Sequence, residues 1–546
     1  MFIRTQTNAE RTYLLLVENE RVQGRVKQKV IARLGRLDEL LASGELDRLL
    51  QSLGRFSEKY SVLGARANGE AISTRTRIVG PALIFERLWQ ELGIDAVIEE
   101  LGRARRFGFE LERAVFLSTL HRLFAPGSDR AAEKWKDDYL IAGAQALELH
   151  QLYRTMAWLG EPLAESAEAP PGALRTRKDL LEEALFERRR DLFTQLELVF
   201  FDTTSIYFEG QGGESLGQHG HSKDHRPDLK QMVVGVVVDQ EGRPLCSQMW
   251  PGNTTDVTTL VPVVERLRTQ FRVNEVCIVA DRGMISAATI EQIQARGWRY
   301  ILGVRMRSSK QANEEVLARA GRFEQVIPKS EASKAPSPLK VKEVWVEDRR
   351  YVVCLNEDQA TKDRHDREAI VAALEEALKH GDKSLIGNRG FRRYLKTHGP
   401  RFAIDRDKLQ AEARYDGKWV LTTNTQLSAR ELALKYKQLW QVEMIFRTMK
   451  TQLSTRPIFH KCDDTIRGHL FCSFLALLLR HELQARIERR GWKLEWADVI
   501  RDLDRLQEVE VELGGKGYLL RTEAKGTVGK VFQACGVALP LTLRPR

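Results

Sequence analysis

Six cysteines in 546 residues, none of them in a C-x-x-C pair, give no basis for a zinc ribbon or a disulfide framework. Most lie in apolar runs such as VCIVAD and LFCSFL, where a free thiol behaves as a small buried hydrophobe. No apolar run is long enough to cross a bilayer. The most apolar, LFCSFLALLL at 470–479, falls well short of the roughly 20 residues a spanning helix needs, and His469 and Arg480 bound it. The stretch MFIRTQTNAER lacks the apolar segment of a signal peptide, so a soluble, cytoplasmic protein without a membrane partner is expected. GQGGE lacks the strand–turn–helix context of a phosphate loop, so no nucleotide cofactor is expected.

What the chain does have is basic charge. Lys and Arg total 86 against 75 acids, for a formal net charge of +11. Such a surface attracts phosphate polymers without saying anything of fold. Hydrophobic content of 42% and charged content of 29% suit a globular protein with a real core. The length implies three or four compact units.

Residues 1–55 read as a small β/α segment: the strands TYLLLVEN and VKQKVIARLG, then the helix DELLASGELDRLLQSL. Residues 56–196 read as a helical DNA-binding region. IVGPALIFERLWQELGI and FELERAVFLSTLHRLF carry apolar residues at three- and four-residue spacing. Two basic clusters, Arg103, Arg105 and Arg106, then Arg188, Arg189 and Arg190, support the DNA reading only together.

The texture changes at 198. LVFFDTTSIYFEG is a strand, and LKQMVVGVVVD and PLCSQMW, joined by QEGR, form a hairpin. A helix (VTTLVPVVERLRTQF), the strand EVCIVAD, a helix (SAATIEQIQARG) and the strand WRYILGV complete residues 197–305. Three strands, helix, strand, helix, strand is the order of a ribonuclease-H-like α/β fold, a mixed sheet covered by helices. Residues 306–424 interrupt it as a β-rich insertion: VKEVWVED, YVVCLNE, a charged helix and KWVLTTN. Within it, the stretch from Arg389 to Lys408 holds Arg392, Arg393, Lys396, Arg401 and Arg406 with few acids, a surface suited to phosphate. The core resumes over 425–483 with an amphipathic helix whose start is fixed by Ser428 and Glu431 as a capping box. Residues 484–546 form a C-terminal tail of mixed pattern.

Asp202 follows the apolar LVFF and Asp281 follows VCIVA. A carboxylate there is costly to bury unless it is paired or binds a cation. Two adjacent strands ending in aspartate would place both acids at one sheet edge, and oxygen-only ligands suit Mg²⁺ or Mn²⁺ rather than zinc. Tyr436, Glu443 and Lys450 are spaced by seven. Seven residues of helix fall about 20° short of two full turns, so all three are expected on one face. An acid, a base and a phenol do not make a core stripe; a metal-binding Glu with a phosphate-holding Lys accounts for them.

Those three residues match the Y-x2-R-x3-E-x6-K signature of DDE transposases of bacterial insertion sequences, the group typified by insertion sequence four. DTTSIYFEG, PGNTTD, ADRGM and YKQLWQVEMIFRTMK resemble the group's blocks in order over roughly 198–483, and the first 55 residues and GHSKDHRPDLKQ resemble one branch. Leu439 stands where the signature has Arg. The DNA backbone contact made there is absent, or passes to another base such as Arg447 or Lys437.

The resemblance implies a transposase that performs metal-dependent cut-and-paste transposition. Two Mg²⁺ ions (Mn²⁺ being possible) held by Asp202, Asp281 and Glu443 would activate a water, then a DNA 3′-hydroxyl. Asp202 would bridge both ions, Asp281 bind one and Glu443 the other, while Tyr436 and Lys450 grip the phosphate. Double-stranded DNA, both element ends and target, is the partner, with a homodimer on DNA. Relatives use a β insertion to hold an end hairpin with a flipped base, for which Trp419 and Trp345 are stacking candidates that also fit the insertion's core. His219, His221 and His225 with Asp224 and Asp228 match no zinc spacing, and Lys223 and Arg226 interrupt them, which reads as a DNA-contacting loop. Asp256 reads as a helix N-cap rather than a fourth ligand. Three rivals stay open: a ribonuclease-H-fold nuclease or resolvase that cuts without joining, a catalytically dead DNA-binding derivative, and a structural basic protein.

Overall fold

Two units make up the computed structural model, which describes all residues except 9–10, 23–24, 55, 58–71, 167, 171, 191–196, 274–275, 330–335, 380–392, 399–400 and 514–515. The smaller unit joins Met1–Gly80 to Asp502–Gly529 and Ala538–Arg546. Its first sheet is the antiparallel meander β1 (Phe2–Asn8), β2 (Arg11–Val22) and β3 (Arg25–Arg36). The helix expected next is two, Leu37–Ala42 and Glu45–Gly54, because Gly44 takes a φ of +67° between them. A further strand, β4 (Ile72–Ile78), ends this first part.

The larger unit, Pro81–Arg501 with Lys530–Val537, contains the main sheet. The strands β5 (Leu198–Tyr207), β6 (Gln231–Asp239) and β7 (Pro244–Pro251) form a meander. On the other side of β5, β8 (Cys277–Ala280) and β9 (Arg299–Val304) run parallel to it. Counted from β5 the spatial order is 3-2-1-4-5, the ribonuclease-H-like arrangement, with helices Leu260–Thr269 and Ala287–Ala295 in the crossovers. All of β6 except its last residue is buried, as befits a strand covered on both faces. Val199, Phe201, Val237, Leu260, Val264 and Leu267 share one core, and burying each such side chain contributes roughly 1.5–3 kcal/mol. Those apolar residues fix the strand positions, and the polar residues between them take the places left.

Beyond β9 the chain adds β10 (Glu324–Ile327), β11 (Leu339–Val346) and β12 (Arg349–Leu355), then the helix Glu357–Lys379, the hairpin β13 (Leu395–His398) and β14 (Arg401–Ile404), the helix Arg406–Ala413, and β15 (Lys418–Thr423). Apart from the two-stranded hairpin β13–β14, residues 306–424 do not form a sheet of their own. β10, β11, β12 and β15 continue the core sheet, all antiparallel, giving nine strands in the order β10-β11-β12-β15-β9-β8-β5-β6-β7. The hairpin and the long helix pack separately around Leu374 and Tyr394. Of the basic stretch, Arg389 and Arg392 lie outside the described residues. Arg393 pairs with Glu412, and Lys396 stands 3.9 Å from both Asp405 and Asp407.

The apolar run at 470–479 lies inside one helix, Asp463–Arg489, which also contains the boundary expected at 483. It packs on helices Leu111–Phe124 and Leu149–Gly160. Among the described residues no helix is long and apolar enough to cross a membrane. The last residues are not shapeless: β16 (Gln507–Leu513), β17 (Lys516–Arg521) and β18 (Leu543–Pro545) form a sheet in which β16 pairs with β4. The strand β4, ISTRTRI, shows no apolar alternation to read because its partner strands supply the core residues Val509, Val511, Tyr518 and Leu520.

Candidate active site

The register of β5 on β8 places the first two acids. Phe201 stands beside Ala280 in this parallel pair, so the next residues along, Asp202 and Asp281, share one level of the sheet. Asp281 follows the last residue of β8. Asp202 does not end its strand, contrary to the sequence expectation, because β5 runs on to Tyr207 paired with β6.

Burial pushes the Asp202 carboxyl up to about 7, and the charges of Asp281 and Asp256 add to the effect. Lys223 and the Thr203 N–H, which donates to Asp202 Oδ1 at 2.7 Å, pull the other way and lose. Asp256 is a neighbour that its sequence position disguised. Its side chain makes no helix cap; it turns to the sheet, accepting from Thr203 Oγ1 at 2.7 Å and lying 3.1 Å from Lys223 Nζ. The lysine ammonium is held further by Thr203 O at 2.8 Å and Oγ1 at 2.9 Å. Asp202 and Asp256 thus share one lysine and Asp281 adds a third carboxylate beside Asp202, an acid excess built from oxygen donors, and that donor set fits a hard divalent cation.

The third acid is placed by a break. The capping box is present, with Ser428 N–H donating to Glu431 Oε2 at 2.9 Å and Glu431 N–H to Ser428 Oγ at 3.2 Å. The helix it opens ends at Lys437, and a second begins at Trp440. Across the junction Gln438 and Leu439 donate to the carbonyls three residues back, each at 3.0 Å. Such 3₁₀ bonding turns the chain about 120° per residue instead of 100°. The one continuous helix expected for Tyr436, Glu443 and Lys450 is therefore interrupted between the first two, where Leu439 is buried.

Tyr436 faces the acids: its hydroxyl donates to Asp281 Oδ1 at 3.0 Å. Burial first, then the Asp281 charge, raise the phenol's pKa well above its usual value, so it stays a donor. Gly303 on β9 makes the room, since a Cβ there would lie 2.5 Å from the phenol oxygen. Glu443 lies on a helix packed against β5 and β6, exposed and without a hydrogen bond or ion pair among the described residues. The three acids do not close on one point. Among the described residues, the group whose ligand atoms all lie within 4.8 Å of one another is Asp129, His460 and His469.

The expected DNA contacts differ in how free they are. Lys450 is 11% exposed and donates to Asp224 Oδ1 at 2.8 Å, an oxygen that Arg456 also pairs with. No spacing in the sequence joins Asp224 or Arg456 to Lys450; the fold does. Arg226 pairs with Asp228 at 2.8 Å and lies over the Tyr207 ring. Arg447 is exposed, with no side-chain partner among the described residues. A cleft of about 420 Å³ beside the acids is lined by Ser205, His221, Lys223, Asn253, Asp256 and Arg305, among others. In the insertion, Trp345 is exposed with its indole N–H on Glu343, while Trp419 is half-buried.

The transposase DDE domain matches residues 194–479, and the IS1634 family transposase N-terminal domain matches residues 3–67. No curated protein matches the chain. Among solved structures, the cryo-EM structure of the piggyBac transposase synaptic complex with hairpin DNA is similar at 11% identity and a TM-score of 0.35, over 78% of this chain and 79% of that one. With more than half of its length matched by the DDE domain, the chain belongs to the DDE transposases of bacterial insertion sequences.

Proposed function

We propose that the enzyme cuts and rejoins double-stranded DNA at the ends of an insertion sequence, using Asp202, Asp281 and Glu443 as metal-binding carboxylates. The observation that carries this reading is the side-by-side placement of Asp202 and Asp281 in an acid excess that Lys223 does not balance. A divalent metal is what the family implies, and the all-oxygen donor set favours Mg²⁺ or Mn²⁺, two ions in number. Asp202, Asp281 and Glu443 would hold the metal. Bound there, it would lower the pKa of the attacking water or DNA 3′-hydroxyl and stabilise the leaving oxygen, for hydrolysis and then strand transfer.

The chain's own residues prepare that chemistry. Tyr436 keeps its proton and orients Asp281 through one hydrogen bond, which makes it a positioning residue. Lys223 restrains Asp256 and Thr203 beside Asp202, and with Arg226 borders the path of the DNA. Arg447, one turn beyond Glu443, is the cation most ready to meet a phosphate. Lys450 can do so only by exchanging the Asp224 carboxylate for a phosphate. Residues 56–196 are assigned to DNA binding, and the insertion, with Trp345 on its surface, to shaping the site. Two ends must be joined in one event, so the acting form is a homodimer on DNA, in the bacterial cytoplasm.

The test is Mg²⁺-dependent cleavage and joining of DNA carrying the sequences that flank this gene, with wild type beside Glu443→Gln. Double-strand cuts at the borders and joined products, lost in the variant while end binding persists, are expected. Cuts without joining would identify a nuclease or resolvase. End binding by a wild type that never cuts would identify a dead derivative.

A further inference from the structure

Away from the acids, the larger unit gathers a second set of ligand-type side chains. Asp129 opens the helix Asp129–Trp135, His460 sits in the loop after the Glu443 helix, and His469 lies in the second turn of helix Asp463–Arg489. His460 Nε2 is 3.1 Å from His469 Nδ1 and 3.4 Å from Asp129 Oδ2. A tetrahedral zinc ion with bonds of about 2.0–2.1 Å sets its ligand atoms roughly 3.3 Å apart.

The protonation pattern agrees. His469 Nε2 is 3.3 Å from the Thr455 carbonyl oxygen, a contact that only an N–H makes favourably, so Nδ1 keeps the lone pair. An imidazole anchored through its other nitrogen on a backbone carbonyl is the usual outer support of a metal-binding histidine. Two imidazoles and one carboxylate select zinc over magnesium or calcium.

We infer that Asp129, His460 and His469 bind one Zn²⁺, with a fourth position open to water, at a site separate from the DDE acids. A resident cation competes for it. The Arg122 guanidinium, buried at 2% exposure, lies 3.1 Å from His469 Nδ1 and 4.0 Å from Asp129 Oδ1. Its Nε has no hydrogen-bond partner among the described residues, so the guanidinium is incompletely satisfied where it stands. Zinc takes the Nδ1 lone pair and leaves Arg122 the second oxygen of Asp129. The ion then staples the helical region to the loop that carries Arg456, the partner of Asp224. The inference does not depend on the proposed DNA chemistry.

The full chain is stripped with a chelator, dialysed and titrated with Zn²⁺ in excess Mg²⁺, with metal content, Tm and the visible absorption of a Co²⁺-loaded sample as readouts. Wild type and Glu443→Gln are expected to bind one tight equivalent, to gain Tm on binding, and to show the intense bands of four-coordinate Co²⁺. His460→Ala and the milder His460→Gln lose the equivalent, the Tm gain and the bands. If the alanine variant does not fold, the glutamine variant and the wild-type cobalt spectrum still decide. Absence of a tight equivalent in wild type, its survival in both His460 variants, or its loss in Glu443→Gln would each overturn the assignment.

Discussion

Asp179 and Asp202 are two aspartates withdrawn from solvent in the same unit, held at opposite ends of the carboxylate range. Asp179 accepts from Lys178 Nζ at 2.7 Å and lies 2.8 Å from Arg266 Nη2, and the adjacent Glu182 pairs with the same arginine at 2.7 Å. Two acids thus meet two bases. Burial works against its charge, yet Arg266 and then Lys178 outweigh it and hold Asp179 down to about 2. At Asp202 burial wins, with Asp281 and Asp256 beside it and Lys223 and the Thr203 N–H alone opposing, and the carboxyl rises to about 7. A buried acid that carries its own cations holds the fold together; one left short of cations awaits a cation from outside.

The contrast is sharpest in stability measured by denaturant without divalent metal. Removing one partner of a buried pair costs about 3–5 kcal/mol, so Asp179→Asn is expected to destabilise the larger unit by that amount. Asp202→Asn, which relieves an acid excess, should leave stability unchanged or raised while abolishing cleavage. Equal destabilisation by both would make Asp202 a structural acid and break the distinction.

Acid titration extends the first half of the comparison. Asp179 has its folded pKa lowered from 3.8 to about 2, so its stabilisation is present in full above 3.8 and fades as pH falls towards 2. The sum is on the order of 2 kcal/mol. Tm followed from pH 5 to pH 2 should fall more steeply in wild type than in Asp179→Asn over that window. Parallel curves would mean that Lys178 and Arg266 do not hold the charge.

How much of this is legible in the sequence follows from where the information lies. The core strands and the hairpin can be read because apolar runs and a QEGR turn are local signals; Asp202, Asp281 and Glu443, the proposed metal ligands, are singled out by the recognisable blocks in which they stand. β4 and β16 cannot, since their pairing joins distant segments and β4 carries little apolar pattern of its own. The helix break at Gln438 and Leu439 leaves no mark either; no Gly or Pro announces it. Asp256 and Asp224 are visible as residues, but their partners Lys223, Lys450 and Arg456 are fixed by tertiary packing that spacing does not encode.

Gly303→Ala probes the positioning of Asp281 with a smaller effect. The added methyl would lie 2.5 Å from the Tyr436 hydroxyl and 3.0 Å from the Arg282 nitrogen, an overpacking that costs about 1–3 kcal/mol. Cleavage is expected to drop alongside Tyr436→Phe, and the double variant should be little worse than either single one. Additive losses would separate the glycine from the tyrosine and leave the hydrogen bond to Asp281 without a role.

The cations repeat the acids' contrast in mirror image, and there the effect is smallest. Arg447 has no acid partner among the described residues, whereas Lys450 is held by Asp224 at 2.8 Å. Taking one cation away from a DNA phosphate lowers the slope of log affinity against log salt by about one unit. Arg447→Ala should show that full decrease, because its guanidinium gives up nothing to meet a phosphate. Lys450→Ala should show it only if DNA displaces Asp224, and then Asp224→Asn, which frees the lysine in advance, should bind element ends more tightly than wild type. An unchanged slope in Lys450→Ala, with no gain in Asp224→Asn, would leave the lysine as a brace between the Glu443 helix and the loop between β5 and β6 that carries Asp224, and Arg447 as that helix's phosphate ligand.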